Sequence, residues 1–281
     1  MFVDRPSGNE DEPVDRPRGN EDEPFEGPNG DEDEPFEGPN GNAFGRAIYD
    51  HHAGDRSSPL VARDGEETRH HPIEKFYFEP VDPAADRTEW LESRLEGPLL
   101  DLGAGAGRDA LYFQDQFETV ALEVSEPLVE TMDERGVENT RLGDMFAIGA
   151  RFERNRFSSA IVIGTQAGLA GSIPGVRSLL GDLAAVTGPN ATLVLDGYDP
   201  SEPACADLLG FRNDPRSGIA TRAFWFEYET FVDPVLVFRL FGPDRLREAT
   251  IGTPWELLDV RYGDSGYYYM AALEKGFRNC Y

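Results

Sequence analysis

A loop with three alternating glycines constrains the fold of this chain more than any other feature of its sequence. The stretch LLDLGAGAGRDAL, residues 99–111, begins as an apolar run typical of a buried strand and continues as a helical pattern. Gly103, Gly105 and Gly107 allow the backbone to turn through conformations that other residues avoid. The strand, loop and helix therefore predict a ligand-binding turn at the carboxyl end of a strand.

The segments around this loop alternate between strand and helix. The sequence predicts strands at 98–102, 119–124, 160–164 and 191–196, and helices at 88–95, 108–116, 125–136 and 176–188. Ser125 is the predicted cap of the third helix, which has a proline at its second position and closes on Gly136. Such alternation predicts a mostly parallel sheet with helices on both faces.

The last third of the chain has a different pattern. The stretch TRAFWFEYETFVDPVLVFRLF, 221–241, predicts two long strands around a turn at 232–234, and GPDRLREA predicts a helix after them. Two further strands, WELLDVRY at 255–262 and YYYMAALE at 267–274, close the chain. The sheet is therefore expected to end in an antiparallel pair.

The spacing of the glycines argues against two common phosphate-binding loops. In a dinucleotide fingerprint the third glycine lies five residues after the first, whereas Gly107 comes one position early, and no P-loop pattern is present. Asp101 ends the strand and is expected to point into the loop. Its carboxylate would repel a pyrophosphate and attract a ligand that carries an ammonium and a sulfonium group.

The pattern Asp101-x-Gly103-x-Gly105-x-Gly107 resembles motif I of class I S-adenosylmethionine-dependent methyltransferases, and the resemblance extends over about residues 90–275. It implies S-adenosylmethionine as the cofactor. It also implies an α/β, Rossmann-like, seven-stranded sheet that is mostly parallel, with an antiparallel last strand. The cofactor-binding residues that it implies are Asp101, Gly103, Ala104, Gly105, Gly107, Glu123, Val124, Asp144, Met145 and Thr165.

Individual residues match parts of the family's site. Glu123 matches the acid that accepts both ribose hydroxyls, and Asp144 matches the acceptor for the adenine amino group, with Met145 as an amide and apolar flank. Ser158 departs from the family, which usually has aspartate at that point of the fourth strand. The stretch 221–241 resembles an insert found after the fifth strand of many small-molecule methyltransferases. The signature of enzymes that methylate exocyclic or amide nitrogens is absent.

Two segments precede the predicted methyltransferase domain, which is placed at 86–281 with the hairpin insert near 221–241. Residues 1–42 repeat an acidic, proline-rich unit every eleven positions and predict a disordered tail, the alternative being a repeat that binds a cation or a partner. Residues 43–85 are interpreted as a lid over the cofactor. Tyr49 and His52 on this lid are the predicted catalytic residues, and Asp196, Gly197 and Tyr198 are further candidates for the acceptor side.

The lid segment also carries all four histidines, His51, His52, His70 and His71. With neighbouring glutamates they could offer metal ligands, but adjacent side chains point apart in an extended chain, and no metal is expected.

Composition limits the partners. The net charge is −27 and only two of the basic residues are lysines, a surface that resembles proteins of salt-loving microbes. No basic cluster favours nucleic acid, and no apolar run favours a membrane or export. Cys205 and Cys280 suggest neither a disulfide framework nor a zinc site. A cytoplasmic protein is the expectation, and the sequence leaves its oligomeric state open.

The sequence therefore predicts a methyltransferase that acts on a small-molecule acceptor. One alternative is a non-catalytic module that binds S-adenosylmethionine and recruits a partner through its acidic tail. Another is an NAD-linked dehydrogenase, which would have to bind a pyrophosphate beside Asp101.

Overall fold

The computed structural model describes residues 42–276, all of which belong to one compact unit. The α-helices within these residues are α1 (Ala43–Ala53), α2 (Asp86–Glu92), α3 (Arg108–Phe113), α4 (Glu126–Arg135), α5 (Ile173–Val186) and α6 (Pro243–Thr250). The strands are β1 (Val61–Asp64), β2 (Glu67–His70), β3 (Leu99–Leu102), β4 (Thr119–Glu123), β5 (Thr140–Leu142), β6 (Phe157–Val162), β7 (Thr187–Tyr198), β8 (Phe211–Asn213), β9 (Ile219–Tyr228), β10 (Phe231–Val232), β11 (Leu236–Phe241), β12 (Trp255–Tyr262) and β13 (Tyr268–Lys275).

The central sheet has seven strands in the order β12-β13-β7-β6-β3-β4-β5. Strands β3, β4, β5, β6 and β7 pair in parallel, whereas β13 runs antiparallel to both of its neighbours. The expectation of a mostly parallel sheet with an antiparallel last strand is therefore confirmed. Because β3 and β6 lie at the centre, the carboxyl ends of the parallel strands meet where the chain reverses its strand order, which is where such sheets bind ligands.

Helices cover both faces of this sheet, as predicted. On one face, Leu100 and Leu193 pack with α5 and α6. On the other, Leu99 and Val194 pack with α2 and α3. All four residues of β3 are buried for this reason, including Asp101. Burial of each leucine stabilises the fold by about 1.5–3 kcal/mol, which anchors the strand that leads into the glycine loop.

A second sheet of six strands lies beside the first and was not predicted. The central strand of this sheet, β9, pairs with β10 and β11 and also with β8 and β1, and β1 pairs with β2. The insert near 221–241 is therefore not a free hairpin, because Ala62 of the N-terminal segment pairs with Phe226. Residues 43–85 and the insert build one sheet together.

Three local details differ from the expectations. Ser125 occupies the cap position of α4, but its hydroxyl makes no capping hydrogen bond. The tight turn of the insert lies at Glu229, which has a positive φ of 53°, rather than at 232–234. Helix α5 ends at Val186 and the next strand begins at Thr187, so Gly188 lies within that strand instead of stopping the helix.

No helix among residues 42–276 is long and apolar enough to cross a membrane. The predicted disordered repeats and Cys280 lie outside the described residues.

Candidate functional site

The glycine loop connects β3 to α3 through three left-handed residues. Gly103, Gly105 and Gly107 have φ values of 71°, 59° and 78°. A Cβ on Gly103 would lie 2.9 Å from Cγ of Gln166, and one on Gly107 would lie 2.6 Å from Cγ2 of Val137. Both the backbone conformation and the close packing therefore require glycine here.

The amides of this loop are already used within the protein. The N–H groups of Gly103 and Ala104 donate to the Leu122 carbonyl oxygen at 2.9 and 3.1 Å, and the Gly105 N–H donates to Oε2 of Glu123 at 3.0 Å. A phosphate-binding loop needs such amides free for the ligand. The loop therefore offers a pyrophosphate few donors and places two carboxylates, Asp101 and Glu123, beside it.

The carboxylates around the loop outnumber the cations that neutralise them. Asp101 is buried, and its burial together with the nearby charges of Asp109 and Glu123 holds its pKa well above the usual range. Arg87 lies close enough to oppose this shift, but both of its terminal nitrogens donate to Asp109 at 3.1 Å. A cationic ligand beside Asp101 would supply the missing positive charge.

Glu123 is held at the end of β4 by three amides. Besides the Gly105 N–H, the N–H groups of Val124 and Ser125 donate to its Oε1 at 2.8 and 3.1 Å. Burial raises the pKa of Glu123, and these hydrogen bonds oppose the rise. The carboxylate is thus fixed in orientation beside the glycine loop, as a hydroxyl acceptor must be.

An apolar edge continues from Glu123 toward the next loop. Val124 is 69% exposed and Phe146 is 39% exposed. Asp144 is exposed, and its Oδ1 accepts the Phe146 N–H at 2.8 Å. Met145 was predicted to flank the ligand, but its side chain is buried in the core against α5. Phe146 presents the apolar surface here instead.

The loop after β6 closes the other side of the glycine loop. Asp196 accepts the N–H groups of Gly164, at 3.0 Å, and Thr165, and also the Tyr268 hydroxyl at 2.9 Å. Thr165 has a positive φ of 61°, and the side chain of the next residue, Gln166, lies over Gly103. Asp196 therefore positions a loop, and the acceptor contact predicted for it stays a prediction.

The N-terminal segment reaches the glycine loop through a π-helical turn, Glu74–Phe78. A Cβ on Gly105 would lie 3.4 Å from Cδ1 of Tyr77, so this ring covers the loop. Arg135, the last residue of α4, donates to the carbonyl oxygens of Tyr77 and Ala106. One guanidinium thus joins the turn to the loop.

Solved structures resemble this architecture. A SAM-dependent methyltransferase from Bacteroides fragilis, in complex with S-adenosyl-L-homocysteine, matches with a TM-score of 0.66 and 20% identity over 84% of this chain and 95% of that one. The CcbJ methyltransferase from Streptomyces caelestis matches with a TM-score of 0.55 and 16% identity, over 73% and 96% of the two chains. No protein-family model matches the sequence, and no curated protein does.

These likenesses decide the fold. The chain has the fold of S-adenosylmethionine-dependent methyltransferases. Within this methyltransferase fold, β3 is the strand that leads into the glycine loop, β4 ends at Glu123 and β5 leads to Asp144.

Tyr49 and His52 interact with carboxylates of helix α4. Glu130 and Glu134 of α4 raise the pKa of Tyr49, and His52 pairs with Glu134 at 3.3 Å. His51 bonds Glu74 at 2.7 Å. Helix α1 thus directs these side chains to its neighbours, and the catalytic role predicted for Tyr49 and His52 stays a prediction. Residues 42–276 hold no group of three or more metal-ligating side chains.

Two residues that the sequence analysis did not select, Tyr77 and His71, connect the glycine loop to the second sheet. The Tyr77 hydroxyl and Nε2 of His71 are 3.1 Å apart, and His71 contacts the rings of Phe44 and Phe226. Tyr198, at the end of β7, lies on the same side, whereas Gly197 is required because a Cβ there would lie 2.9 Å from the Tyr269 hydroxyl. The sequence signal for Tyr77 was only its place in an aromatic run, KFYF, within a segment without clear periodicity.

Proposed function

We propose that this protein is an S-adenosylmethionine-dependent methyltransferase that acts on a small molecule. The observation that carries the proposal is the buried Asp101, which lies beside Asp109 and Glu123 and forms no ion pair within residues 42–276, since the guanidinium of nearby Arg87 pairs with Asp109. A site with excess negative charge at a glycine loop favours a cofactor with an ammonium and a sulfonium group over a pyrophosphate.

The residues present fit this cofactor. Asp101 would face its cationic end, and Glu123 would share its fixed oxygens with the ribose hydroxyls, since a carboxylate offers about four acceptor positions. Val124 and Phe146 would flank the adenine, and Asp144 has one oxygen that makes no hydrogen bond to the described residues. Arg108, directly after the loop, has a buried Nε without a partner in residues 42–276, which suits a carboxylate.

When bound, S-adenosylmethionine supplies the activated methyl group, so the protein's contribution is to align the acceptor and exclude water. Tyr77 covers the loop at Gly105 and keeps solvent from that side. Asp196 fixes the backbone of Gly164 and Thr165, which holds Gln166 over Gly103. Burial raises the pKa of Tyr77 and of Tyr198, so both hydroxyls stay protonated and can orient an acceptor as donors.

Calorimetric titration with S-adenosylmethionine, S-adenosylhomocysteine and NAD tests this proposal. We expect the first two to bind and NAD not to bind. Asp101→Ala and Glu123→Ala should each weaken binding of S-adenosylmethionine, whereas Asp244→Ala, on the exposed face of α6, should not. Equal binding by the parent and both site variants would refute the assignment of the site.

A further inference from the structure

One arginine on the inner face of the second sheet breaks an otherwise buried pattern. Ala220, Phe224, Phe226 and Tyr228 alternate along β9 and are buried on the side that faces the core. Arg222 occupies the same face, because side chains two residues apart in a strand point the same way. An arginine at such a position loses part of its hydration, which it would keep on the outer face of the sheet.

The contacts of Arg222 leave most of its donors unused. Its Nε donates to the Leu209 carbonyl oxygen at 2.8 Å, and its guanidinium carbon lies 4.2 Å from the centre of the Phe224 ring. Its cross-strand neighbours are Phe211 and Phe238. No carboxylate among the described residues pairs with it, although the chain has a net charge of −27. An arginine has five N–H donors, so the terminal nitrogens remain available.

Three other arginines of the same sheet pair with carboxylates, whereas the exposed Arg69 of β2 donates to the Asp207 carbonyl oxygen at 3.3 Å. Arg63 of β1 pairs with Glu227 at 2.8 Å, and Arg212 of β8 pairs with Asp64 at 2.8 Å. Arg239 of β11 pairs with Asp214 at 3.1 Å. In so acidic a protein a carboxylate is easy to provide, so its absence beside a half-buried guanidinium points to an anion that comes from outside.

The groups that face Arg222 are neutral or weakly polar. Its charge acts on the hydroxyls of Tyr198 and Tyr267 and on the Cys205 thiol. Burial, with a smaller effect of Arg222, lowers the pKa of His71 to about 4, so this imidazole is neutral at pH 7. Arg69 of β2 adds a second positive charge nearby. The surroundings therefore offer phenol donors and aromatic surface around Arg222, with Arg69 as a second cation nearby.

The groups around Arg222, which include His71 and Tyr198, are connected to the glycine loop. Tyr77 lies against Gly105 on one side, and its hydroxyl reaches His71 on the other. Tyr198 interacts electrostatically with both Tyr77 and Arg222. Tyr77, His71 and Tyr198 thus lie between the proposed cofactor site and Arg222, where an acceptor molecule would have to sit.

We infer that the methyl acceptor is an aromatic or apolar molecule with an oxyanion, a carboxylate or a phosphate, which Arg222 binds through its free terminal nitrogens. The role of this anion as the methyl acceptor rests on the proposed methyltransferase function, whereas the anion site itself does not depend on it. A bidentate arginine-oxyanion pair gives both affinity and orientation.

Binding of benzoate, phenyl phosphate and neutral benzamide, measured by ligand-observed NMR at one fixed salt concentration with and without S-adenosylhomocysteine, tests the inference. The variants are Arg222→Met, which keeps an unbranched side chain as far as the Nε position and removes the charge, and Arg63→Met, the same change on the outer face. We expect benzoate or phenyl phosphate to bind the parent and Arg63→Met, and to bind Arg222→Met at least tenfold more weakly. Benzamide should bind all three proteins poorly, and the tighter of the two anions identifies the oxyanion.

The melting temperature separates this role from a purely structural one. Because Arg222→Met removes a half-buried charge, the melting temperature should stay the same or rise, whereas loss of a structural arginine would lower it. Arg222→Lys, which retains that charge, should bind the anion with intermediate affinity. Equal anion binding by the parent and Arg222→Met, or equal binding of benzoate and benzamide, would overturn the inference. Failure of S-adenosylhomocysteine to bind the parent would instead overturn the proposed function, whatever the anion does.

Discussion

At the scale of single residues, the burial of Asp101 is expected to lower the stability of the ligand-free protein. Its carboxylate is buried next to two others, so its charged form is unfavourable until a cation arrives. We predict that Asp101→Asn weakens S-adenosylmethionine at least tenfold, or ~1.4 kcal/mol, yet leaves the ligand-free protein equally or more stable. A gain of 1 kcal/mol would raise the melting temperature by about 2–4 °C in a chain of this size. Asp109→Asn provides the contrast, because it leaves Arg87 without its carboxylate partner and should lower stability.

The raised pKa of Asp101 also sets the direction in which folding stability and ligand affinity change with pH. The folded protein holds this proton at pH values where the unfolded chain, with a carboxyl near 3.8, has lost it. The contribution of Asp101 to stability therefore grows as the pH falls from its raised pKa toward 3.8. A cationic ligand binds the ionised form of Asp101, so the affinity for this ligand should fall as the pH falls toward 3.8. Binding should also release protons. Calorimetry in buffers of different ionisation enthalpy measures this release, and Asp101→Asn should abolish it.

At the scale of elements, the predictable parts are those with local periodicity. Strands β3, β4, β6 and β7 and the antiparallel end follow from apolar runs and glycine punctuation. The pairing of β1 with β9 joins residues 61–63 to 225–227, far apart in sequence, and β2 has four exposed residues with no buried face to reveal it. The sequence predicted a lid over residues 43–85 with its catalytic residues on α1, whereas the turn that lies against the glycine loop is the one that carries Tyr77.

That π-helical turn, Glu74–Phe78, provides a prediction for an element. Arg135 donates to carbonyl oxygens of both the turn and the glycine loop and lies 4.8 Å from the Phe78 ring centre. Arg135→Ala should cost about 1–3 kcal/mol through the charged hydrogen bonds that it loses. Amide exchange of Glu79, which donates to Glu74, should accelerate more than exchange in β3. Arg247→Ala, which breaks an exposed pair on α6, should change neither, and uniform acceleration would contradict a local role.

At the scale of the whole molecule, the sequence indicated the residues proposed to bind the cofactor better than those proposed to bind the acceptor. Asp101 and Glu123 follow directly after strands, where position along the chain fixes position in space. Arg222 and His71 meet only because two distant segments form one sheet. The signal that could have revealed Arg222 was present, since it is the charged residue on the apolar face of β9, but it has meaning only once that face is known to be buried.

The net charge of −27 predicts how the molecule responds to salt. Self-repulsion among acidic side chains opposes folding, and screening shortens its reach from about 10 Å at 0.1 M salt to about 3 Å at 1 M. We expect the urea midpoint of unfolding to rise between 0.1 and 1 M potassium chloride, and an unchanged or lower midpoint would contradict this. Anion binding at Arg222 should respond in the opposite direction, because chloride competes for the guanidinium. If stability rises with salt while the affinity for benzoate falls, the first response reports the acidic surface and the second reports the cationic site at Arg222.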